Sequence, residues 1–341
     1  MRQVPEALVP ADRAAELIPQ LFAEGIADPG ARIASYDGGR RVPVRPERAA
    51  DAAALGLELT VGPAYSEDSR PPLERIRARL GGLSSELLAL LPDKWETAGS
   101  VITLKLAPEL DVAGAEIGRA YAEVLGAGTV LADTAGVAGE FRLPEMRVLY
   151  GRPEVSVKTE NGIRYRFDAT EVMFASGNIN ERRRMGELDC RGETVIDMFA
   201  GIGYFTLPLA KFAHPRRVFA CEKNPRSYSF LCQNLRLNGV EEQVIPILAD
   251  NRTLPGSGWA DRILMGYVQK TAEFLPAALR LLRSGGTIHY HDTFYVGQQD
   301  RAVAEVFRRA CGTRPFEVLA VREVKSFAPS VSHYVADVRV G

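Results

Sequence analysis

The sequence predicts an α/β fold with a mostly parallel sheet of seven strands. Three apolar stretches of four or five residues, at 194–198, 218–221 and 244–248, alternate with helical patterns. Two further strand patterns follow at 262–267 and 287–291. Strands that alternate with helices in this way form right-handed βαβ units and a parallel sheet.

The ends of the first three strands carry the residue types of a nucleotide site. Gly201 and Gly203 follow the first strand, and the absence of a Cβ lets the backbone approach a ligand closely. Glu222 ends the second strand, where such folds place the acceptor for ribose hydroxyls. Asp250 and Asn251 follow the third, and either can meet an adenine amine. This order predicts a Rossmann-like S-adenosylmethionine-dependent transferase domain.

The competing interpretation is a generic doubly wound domain that binds another nucleotide. The glycine turn lacks the third glycine of a dinucleotide fingerprint, and the chain contains no Gly-Lys-Ser/Thr phosphate loop. We therefore favour S-adenosylmethionine as the cofactor.

Composition sets the protein class. The 341 residues allow two or three domains, and 46% apolar with 25% charged residues is typical of a soluble globular protein. A net charge of −1 provides no global basic field, so a nucleic-acid partner would need local patches. The four cysteines form no CxxC pair and the four histidines lack metal-ligand spacing. We expect a cytoplasmic monomer with reduced cysteines, no metal, no signal peptide and no membrane segment.

The chain is expected to begin with two smaller domains. Residues 1–65 predict a small α/β module, and a linker is expected over 61–75. Residues 73–170 predict an α+β middle domain on the substrate side, with a hairpin turn at Glu160-Asn161-Gly162. In these domains the patterns predict helices at 11–24, 73–91 and 112–125, strands at 33–36, 42–44, 100–106, 129–132, 147–149, 156–159 and 164–167, and a turn-rich loop at 136–142.

The transferase domain is expected over 171–341. Its C-terminal part predicts a helix at 272–283 and another at 299–310. Two final strands, 318–325 and 332–340, are expected to pair antiparallel at the sheet edge.

Several stretches together resemble one known family, the archaeal and eukaryotic methyltransferases of guanine at tRNA position 37 and their wybutosine-pathway relatives. The resemblance covers essentially the whole chain and implies a tRNA partner, tRNA-Phe at anticodon-loop position 37. It also implies that the N-terminal module and the middle domain grip the RNA away from the anticodon. The stretches are Glu160-Asn161-Gly162, Met173-Phe174, Ser176-Gly177-Asn178, Glu181-Arg182, Asp197 to Gly203 and Lys325 to Pro329.

Two departures distinguish the chemistries within that group. The methyltransferases carry an Asn-Pro type motif after the fourth strand, whereas residues 265–271 contain neither asparagine nor proline. Ser176-Gly177-Asn178 also replaces their Ser-x-Arg type sequence. Both features resemble the archaeal enzymes that move the 3-amino-3-carboxypropyl group of S-adenosylmethionine to 4-demethylwyosine and release methylthioadenosine. The alternatives are a guanine-37 N1-methyltransferase and a non-catalytic tRNA-binding protein.

The chemistry suggests a role for each candidate side chain. The sulfonium has three electrophilic carbons, and the carbon that faces the acceptor in line is transferred. Arg182 or Arg184 could grip the methionine carboxylate, and Glu181, Asn178 or Asp197 the ammonium. The predicted catalytic residues are Asn178, Glu181 and Arg182; the cofactor residues are Ser176, Arg182, Asp197, Phe199, Gly201, Gly203, Glu222, Asp250 and Asn251; the substrate-side residues are Gly266, Tyr267 and His289.

Overall fold

In the computed structural model, which describes residues 3–31, 33–36, 38–63, 70–138, 143–174 and 176–341, the chain divides into two units after Gly81. The elements of the first unit are β1 (Gln3–Pro10), α1 (Ala14–Ala23), β2 (Ala34–Tyr36), β3 (Gly39–Pro43), α2 (Ala49–Ala54), β4 (Glu58–Pro63) and α3 (Pro72–Arg79). Its four strands pair antiparallel in the order β2-β3-β1-β4. Leu17 and Leu21 of α1 pack on Val9 and Val42 of the sheet.

Two strands of this unit, β1 and β4, were not predicted from the sequence. Prolines at positions 5 and 10 and the buried Glu6 interrupt the apolar alternation of β1, which lies at the centre of the sheet. The linker expected over 61–75 is wrong at both ends, because 61–63 belong to β4 and 72–75 to α3. Residues 64–69 lie outside the described residues.

The second unit contains the remaining elements. They are α4 (Ser85–Ala89), β5 (Trp95–Ala98), β6 (Val101–Lys105), α5 (Gly114–Leu125), β7 (Thr129–Ala138), β8 (Leu143–Tyr150), β9 (Val155–Glu160), β10 (Ile163–Asp168), α6 (Ile179–Glu187), β11 (Thr194–Asp197), α7 (Thr206–Phe212), β12 (Arg217–Glu222), α8 (Pro225–Asn238), β13 (Val244–Leu248), β14 (Ala260–Met265), α9 (Leu275–Leu281), β15 (Leu282–Tyr295), α10 (Gln299–Cys311), β16 (Phe316–Ala328) and β17 (Val331–Val340).

The middle segment of the chain packs directly on the transferase segment. Strands β5-β6-β7-β8 form one sheet, in which β6 and β7 are parallel. Ala98, Val101 and Leu131 of that sheet share a hydrophobic core with Val195 and Leu264 of the large sheet. The single helix expected over 73–91 is wrong, because the chain leaves helical conformation around Gly81-Gly82 and forms α3 and α4 instead. Of the loop expected at 136–142, residues 139–142 lie outside the described residues, and 136–138 belong to β7.

The hairpin of β9 and β10 is confirmed. Asn161 and Gly162 have positive φ values of 49° and 76°, as a tight hairpin turn requires. The open edge of β10 is covered by α8, whose Asn234 and Asn238 each accept from a backbone N–H and donate to a carbonyl of β10. These amide side chains act as a neighbouring strand would and fix the hairpin beside the large sheet.

The large sheet confirms the predicted fold class. Its seven strands run in the order β13-β12-β11-β14-β15-β17-β16. The first five are parallel, and β17 lies antiparallel between β15 and β16, as predicted for the two final strands. The helix expected over 272–283 is shorter, because β15 already begins at Leu282. The ends of the parallel strands therefore meet at one edge, beside the hairpin and the middle sheet.

Three further expectations concern the described residues. All four cysteines are free, and three of them are buried. No group of three or more His, Cys, Asp or Glu side chains in the described part of the chain is arranged to hold a metal ion. None of the described helices combines the length and the apolar character needed to cross a membrane.

Candidate functional site

A cavity of about 460 Å³ lies where the parallel strands end. Residues that follow β11, β12, β13 and β14 form one wall, and the middle sheet, the hairpin and β16 form the other. The volume falls in the range of roughly 300–1,000 Å³ that is usual for small-molecule sites. Of the predicted site residues, it is lined by Ser176, Asn178, Arg182, Phe199, Gly201, Glu222, Asp250, Asn251, Gly266 and Tyr267.

The glycine turn and Glu222 form one hydrogen-bonded unit. Gly201 N–H donates to Glu222 Oε2 at 2.7 Å, and Asn224 N–H donates to Oε1 at 2.7 Å. Gly201 has a φ of +57°, and a Cβ there would lie 2.6 Å from the Tyr204 ring. Burial raises the pKa of Glu222. Each carboxylate oxygen keeps a second lone pair, so the group can accept two further hydrogen bonds.

Asp197 and Gly203 do not line the cavity. Asp197 is fully buried, and its two oxygens accept from Phe199 N–H at 3.2 Å and the Thr206 hydroxyl at 2.8 Å. Burial raises the pKa of this carboxyl to about 6. At Gly203, a Cβ would lie 2.7 Å from the Leu207 side chain. The predicted contact of both residues with the cofactor is therefore corrected: they order the turn and the start of α7.

The two polar residues after β13, Asp250 and Asn251, have different hydrogen-bond partners. Asp250 accepts from Arg252 Nε at 2.9 Å and from Lys223 Nζ at 3.3 Å, and Arg252 holds the pKa of Asp250 well below its usual range. Asn251 is buried and donates from Nδ2 to the Met198 carbonyl at 2.7 Å. That bond orients the amide, and Asn251 Oδ1 is left as a buried acceptor that no described residue satisfies. The sequence could not choose between the two residues, and both line the cavity.

Arg182 lines the cavity, but its guanidinium is engaged. Nε lies 2.5 Å from Glu160 Oε1 and one terminal nitrogen lies 3.0 Å from Oε2, so the fork faces the hairpin. The side chain is 1% exposed and lies over the Phe174 ring at 4.8 Å. The prediction that it grips the methionine carboxylate is therefore corrected. Arg182 ties Phe174 and Ser176 to β9.

Glu181 and His289, with Arg184, form a buried ionic cluster outside the cavity lining. Glu181 accepts from Arg184 at 2.7 and 2.9 Å, and Arg184 also reaches Asp337 at 3.0 Å. His289 Nδ1 lies 2.6 Å from Asp337, and its Nε2 lies 2.7 Å from Arg262. Burial lowers the pKa of His289. The catalytic role predicted for Glu181, the substrate-side role of His289 and the carboxylate grip of Arg184 are corrected to a structural one.

Several lining residues were missed from the sequence. Lys158 Nζ lies 3.6 Å from Glu96 and 4.7 Å above the Phe174 ring, and the Ser176 hydroxyl donates to the same carboxylate. Lys325 lies so close to Gly177 that a Cβ there would meet its Cδ at 2.8 Å. Lys158 and Lys325 come from separate strands, β9 and β16. In the sequence, each of them is marked only as an isolated lysine within a strand pattern. Both lysines line the cavity together with Asn178, and Lys158 is paired there with Glu96. The buried Oδ1 of Asn178 is another acceptor that no described residue satisfies.

The acceptor end of the cavity is aromatic. Tyr267 stacks on Phe199 at 5.1 Å, and a Cβ at Gly266 would lie 2.9 Å from the Phe205 ring. Phe205 in turn stacks on His291 at 5.0 Å. His291 Nδ1 lies 3.1 Å from Nε2 of His333, which lines the cavity, and burial lowers the pKa of His291 to about 3. A flat base can therefore be seated against flat side chains at this end.

The cavity fits S-adenosylmethionine at three points. The remaining lone pairs of Glu222 suit two ribose hydroxyls, and the orphan oxygen of Asn251 suits the exocyclic amine of adenine. The orphan oxygen of Asn178 suits an ammonium group. Both amide oxygens are enclosed below the cavity surface, and a buried polar group without a partner carries a free-energy penalty, so a side-chain rotation that brings them to a ligand is stabilised.

Comparison with known proteins agrees with this geometry. The family model described as the TRM5/TYW2 methyltransferase domain matches residues 156–319, and the TYW2 N-terminal domain matches 76–154. The curated tRNA(Phe) (4-demethylwyosine(37)-C(7)) aminocarboxypropyltransferase of Pyrococcus horikoshii is 43% identical, over 76% of this chain and 93% of that protein. The crystal structure of P. horikoshii TYW2 in complex with MeSAdo aligns with a TM-score of 0.71 at 41% identity, and covers 79% of this chain and 98% of its own. The crystal structure of Trm5b from Pyrococcus abyssi aligns with a TM-score of 0.70 at 29% identity, over 99% of both chains.

Proposed function

Because the chain belongs to the TRM5/TYW2 family, we propose that it transfers the 3-amino-3-carboxypropyl group of S-adenosylmethionine to 4-demethylwyosine at position 37 of tRNA-Phe, releasing methylthioadenosine. The observation that carries this proposal is the identity with the P. horikoshii aminocarboxypropyltransferase over nearly all of that enzyme. The turn after β14 supports it, since Gly266-Tyr267-Val268-Gln269 provides no asparagine or proline at the acceptor end.

The nucleoside part of the cofactor is held by strand ends. Glu222 accepts the two ribose hydroxyls while its other lone pairs stay on the Gly201 and Asn224 amides. Asn251 Oδ1 accepts from the adenine amine.

The amino-acid part decides which carbon is transferred. S-adenosylmethionine supplies an electrophilic sulfonium with a methyl carbon and a γ-carbon. Asn178 Oδ1 accepts from the ammonium, and Lys325 attracts the carboxylate, so the methionine chain is held toward β16. An in-line approach of the acceptor carbon to the γ-carbon then forms one C–C bond. The γ-carbon–sulfur pair returns to sulfur, giving a neutral thioether, and the acceptor carbon loses a proton.

The RNA is contacted through local positive charge. Arg40, Arg41, Arg164 and Arg166 are exposed cationic groups that suit this purpose, and phosphate contacts of this kind make binding salt-dependent. The N-terminal module contributes such groups and binds the tRNA away from the anticodon. The protein acts as a cytoplasmic monomer.

Two labelled cofactors test the function. S-adenosylmethionine labelled in the methyl group, or in the carboxyl carbon, is incubated with the protein and either tRNA-Phe carrying 4-demethylwyosine or unmodified tRNA. We expect carboxyl label, and no methyl label, in the precursor tRNA alone. The Glu222→Ala variant should transfer little label, and the exposed Glu241→Ala variant should match the wild type.

The other outcomes separate the alternatives. Methyl label in unmodified tRNA, without carboxyl label, would assign the guanine-37 methyltransferase activity instead. A protein that binds tRNA but transfers no label and binds no S-adenosylmethionine would be a non-catalytic binding protein.

A further inference from the structure

The turn that follows β14 has an unusual backbone. Val268 and Gln269 have φ values of +65° and +73°, and they are the one adjacent pair of non-glycine residues with positive φ among the described residues. The Cβ atom disfavours this left-handed region, most of all in a β-branched residue such as valine. A conformation of this kind persists where its surroundings hold it in place.

Two buried side chains hold the turn. Val268 N–H donates to Thr271 Oγ1 at 2.9 Å, and Gln269 N–H donates to Asp292 Oδ1 at 2.7 Å. Thr271 is fully buried and Asp292 is 8% exposed. Asp292 is itself fixed, because the Tyr290 hydroxyl donates to its Oδ2 at 2.6 Å. The amide of Gln269 is thus held by a residue of strand β15, and the amide of Val268 by Thr271, which directly follows the turn.

The same turn forms the acceptor wall of the cavity. Gly266, Tyr267 and Val268 line it, and Tyr267 stacks on Phe199. The Gln269 side chain is exposed and is not part of the lining. A change in the dihedral angles of the turn would therefore displace the Tyr267 ring and the acceptor wall together.

We propose that Asp292 and Thr271 are positioning residues that hold the 267–270 turn in its left-handed conformation and thereby seat the acceptor base. They act through the backbone amides of Val268 and Gln269. Substrate orientation contributes strongly to rate, and a displacement of about 1 Å can cost on the order of 100-fold. The identity of the base rests on the proposed function, whereas the restraint on the turn does not.

The test first removes the hydrogen-bond acceptor of Gln269 N–H and then replaces Gln269 by a residue that adopts positive φ readily. Asp292→Ala should lower kcat/KM for precursor tRNA on the order of tenfold or more, and leave methylthioadenosine affinity within about twofold. Adding Gln269→Gly should restore most of the lost kcat/KM, because glycine adopts positive φ without a hydrogen bond that holds it there. Asp292→Asn retains an acceptor oxygen for Gln269 N–H and should stay near wild type. Tyr290→Phe removes the hydrogen bond that the Tyr290 hydroxyl donates to Asp292 and leaves those from Gln269 N–H and Thr293 N–H, so it should cost little.

A second readout separates this proposal from the proposed function. Hydrogen–deuterium exchange of the 266–270 amides should speed up in Asp292→Ala whether or not the wild type transfers the aminocarboxypropyl group. Wild-type exchange and transfer in Asp292→Ala would overturn the proposal. So would a loss that Gln269→Gly fails to restore or that Tyr290→Phe reproduces. If Asp292→Ala does not fold, Thr271→Val removes the acceptor of Val268 N–H, and Val268→Gly takes the place of Gln269→Gly as the substitution that should restore the loss.

Discussion

Glu222 is the side chain whose removal should weaken cofactor binding most. Its two oxygens accept from Gly201 N–H and Asn224 N–H, both at 2.7 Å, and each has one lone pair left for a ribose hydroxyl. A hydrogen bond to a charged acceptor contributes about 1.5–3 kcal/mol. Two such bonds contribute about 3 kcal/mol at the low end of that range, which corresponds to roughly 100-fold in Kd.

The assay isolates the ribose contribution. Methylthioadenosine has the adenine and the ribose of the cofactor and lacks its amino-acid part, so a calorimetric titration with it measures the nucleoside contacts alone. We expect Glu222→Ala to raise Kd about 100-fold. Glu222→Gln should not rescue binding, because an amide offers one acceptor oxygen and places its NH₂ against one of the two backbone N–H groups. The exposed Glu241→Ala serves as the matched control.

One result would refute this reasoning. If Glu222→Ala is folded, melts like the wild type and binds methylthioadenosine within about threefold of it, the carboxylate does not contact the ribose. A reduced melting temperature with unchanged affinity would give Glu222 the role of turn scaffold that Asp197 has.

Two further predictions concern buried charge. The pKa of Asp197 is raised from 3.8 to about 6, so the folded protein keeps a proton that the unfolded chain has lost. Stability should therefore fall as pH rises through this window, by about 3 kcal/mol, and Asp197→Asn should abolish that slope in urea unfolding between about pH 4 and 7. Glu160→Gln should destabilise the fold by about 3–5 kcal/mol, because it removes the carboxylate counter-charge of the buried Arg182 guanidinium. The double variant Glu160→Gln, Arg182→Gln should recover much of that loss, and strictly additive losses in the same unfolding assay would contradict the coupling.

The parts of the site that follow strand ends were predictable from the sequence. Gly201, Glu222 and Asn251 all line the cavity because each lies within a few residues of a parallel strand, and parallel strands end at one edge. Their placement depends on local order alone. The same reasoning gave the fold class and the antiparallel pair of final strands.

The sequence could not predict which charges neutralise each other inside the protein. Arg182 meets Glu160 across 22 residues, and Arg184 meets Asp337 across 153 residues. A run of arginines on α6 looks equally suited to a ligand or to RNA until these partners are known. Lys158 and Lys325 reach the cavity from β9 and β16, and no spacing along the chain relates them. Pairing of this kind is a property of the tertiary fold.

Asp197 and Glu222 show why two carboxylates at neighbouring strand ends take different roles. The short Asp197 side chain stays within its own turn, where Phe199 N–H and the Thr206 hydroxyl occupy its two oxygens. Glu222 is one methylene longer and reaches the cavity. Burial is the main cause that raises the pKa of both, and the charge of Glu222 raises that of Asp197 further. Because like charges disfavour each other, a proton held by Asp197 favours the ionised form of Glu222. The shorter carboxyl therefore orders the turn, and the longer one lines the cavity.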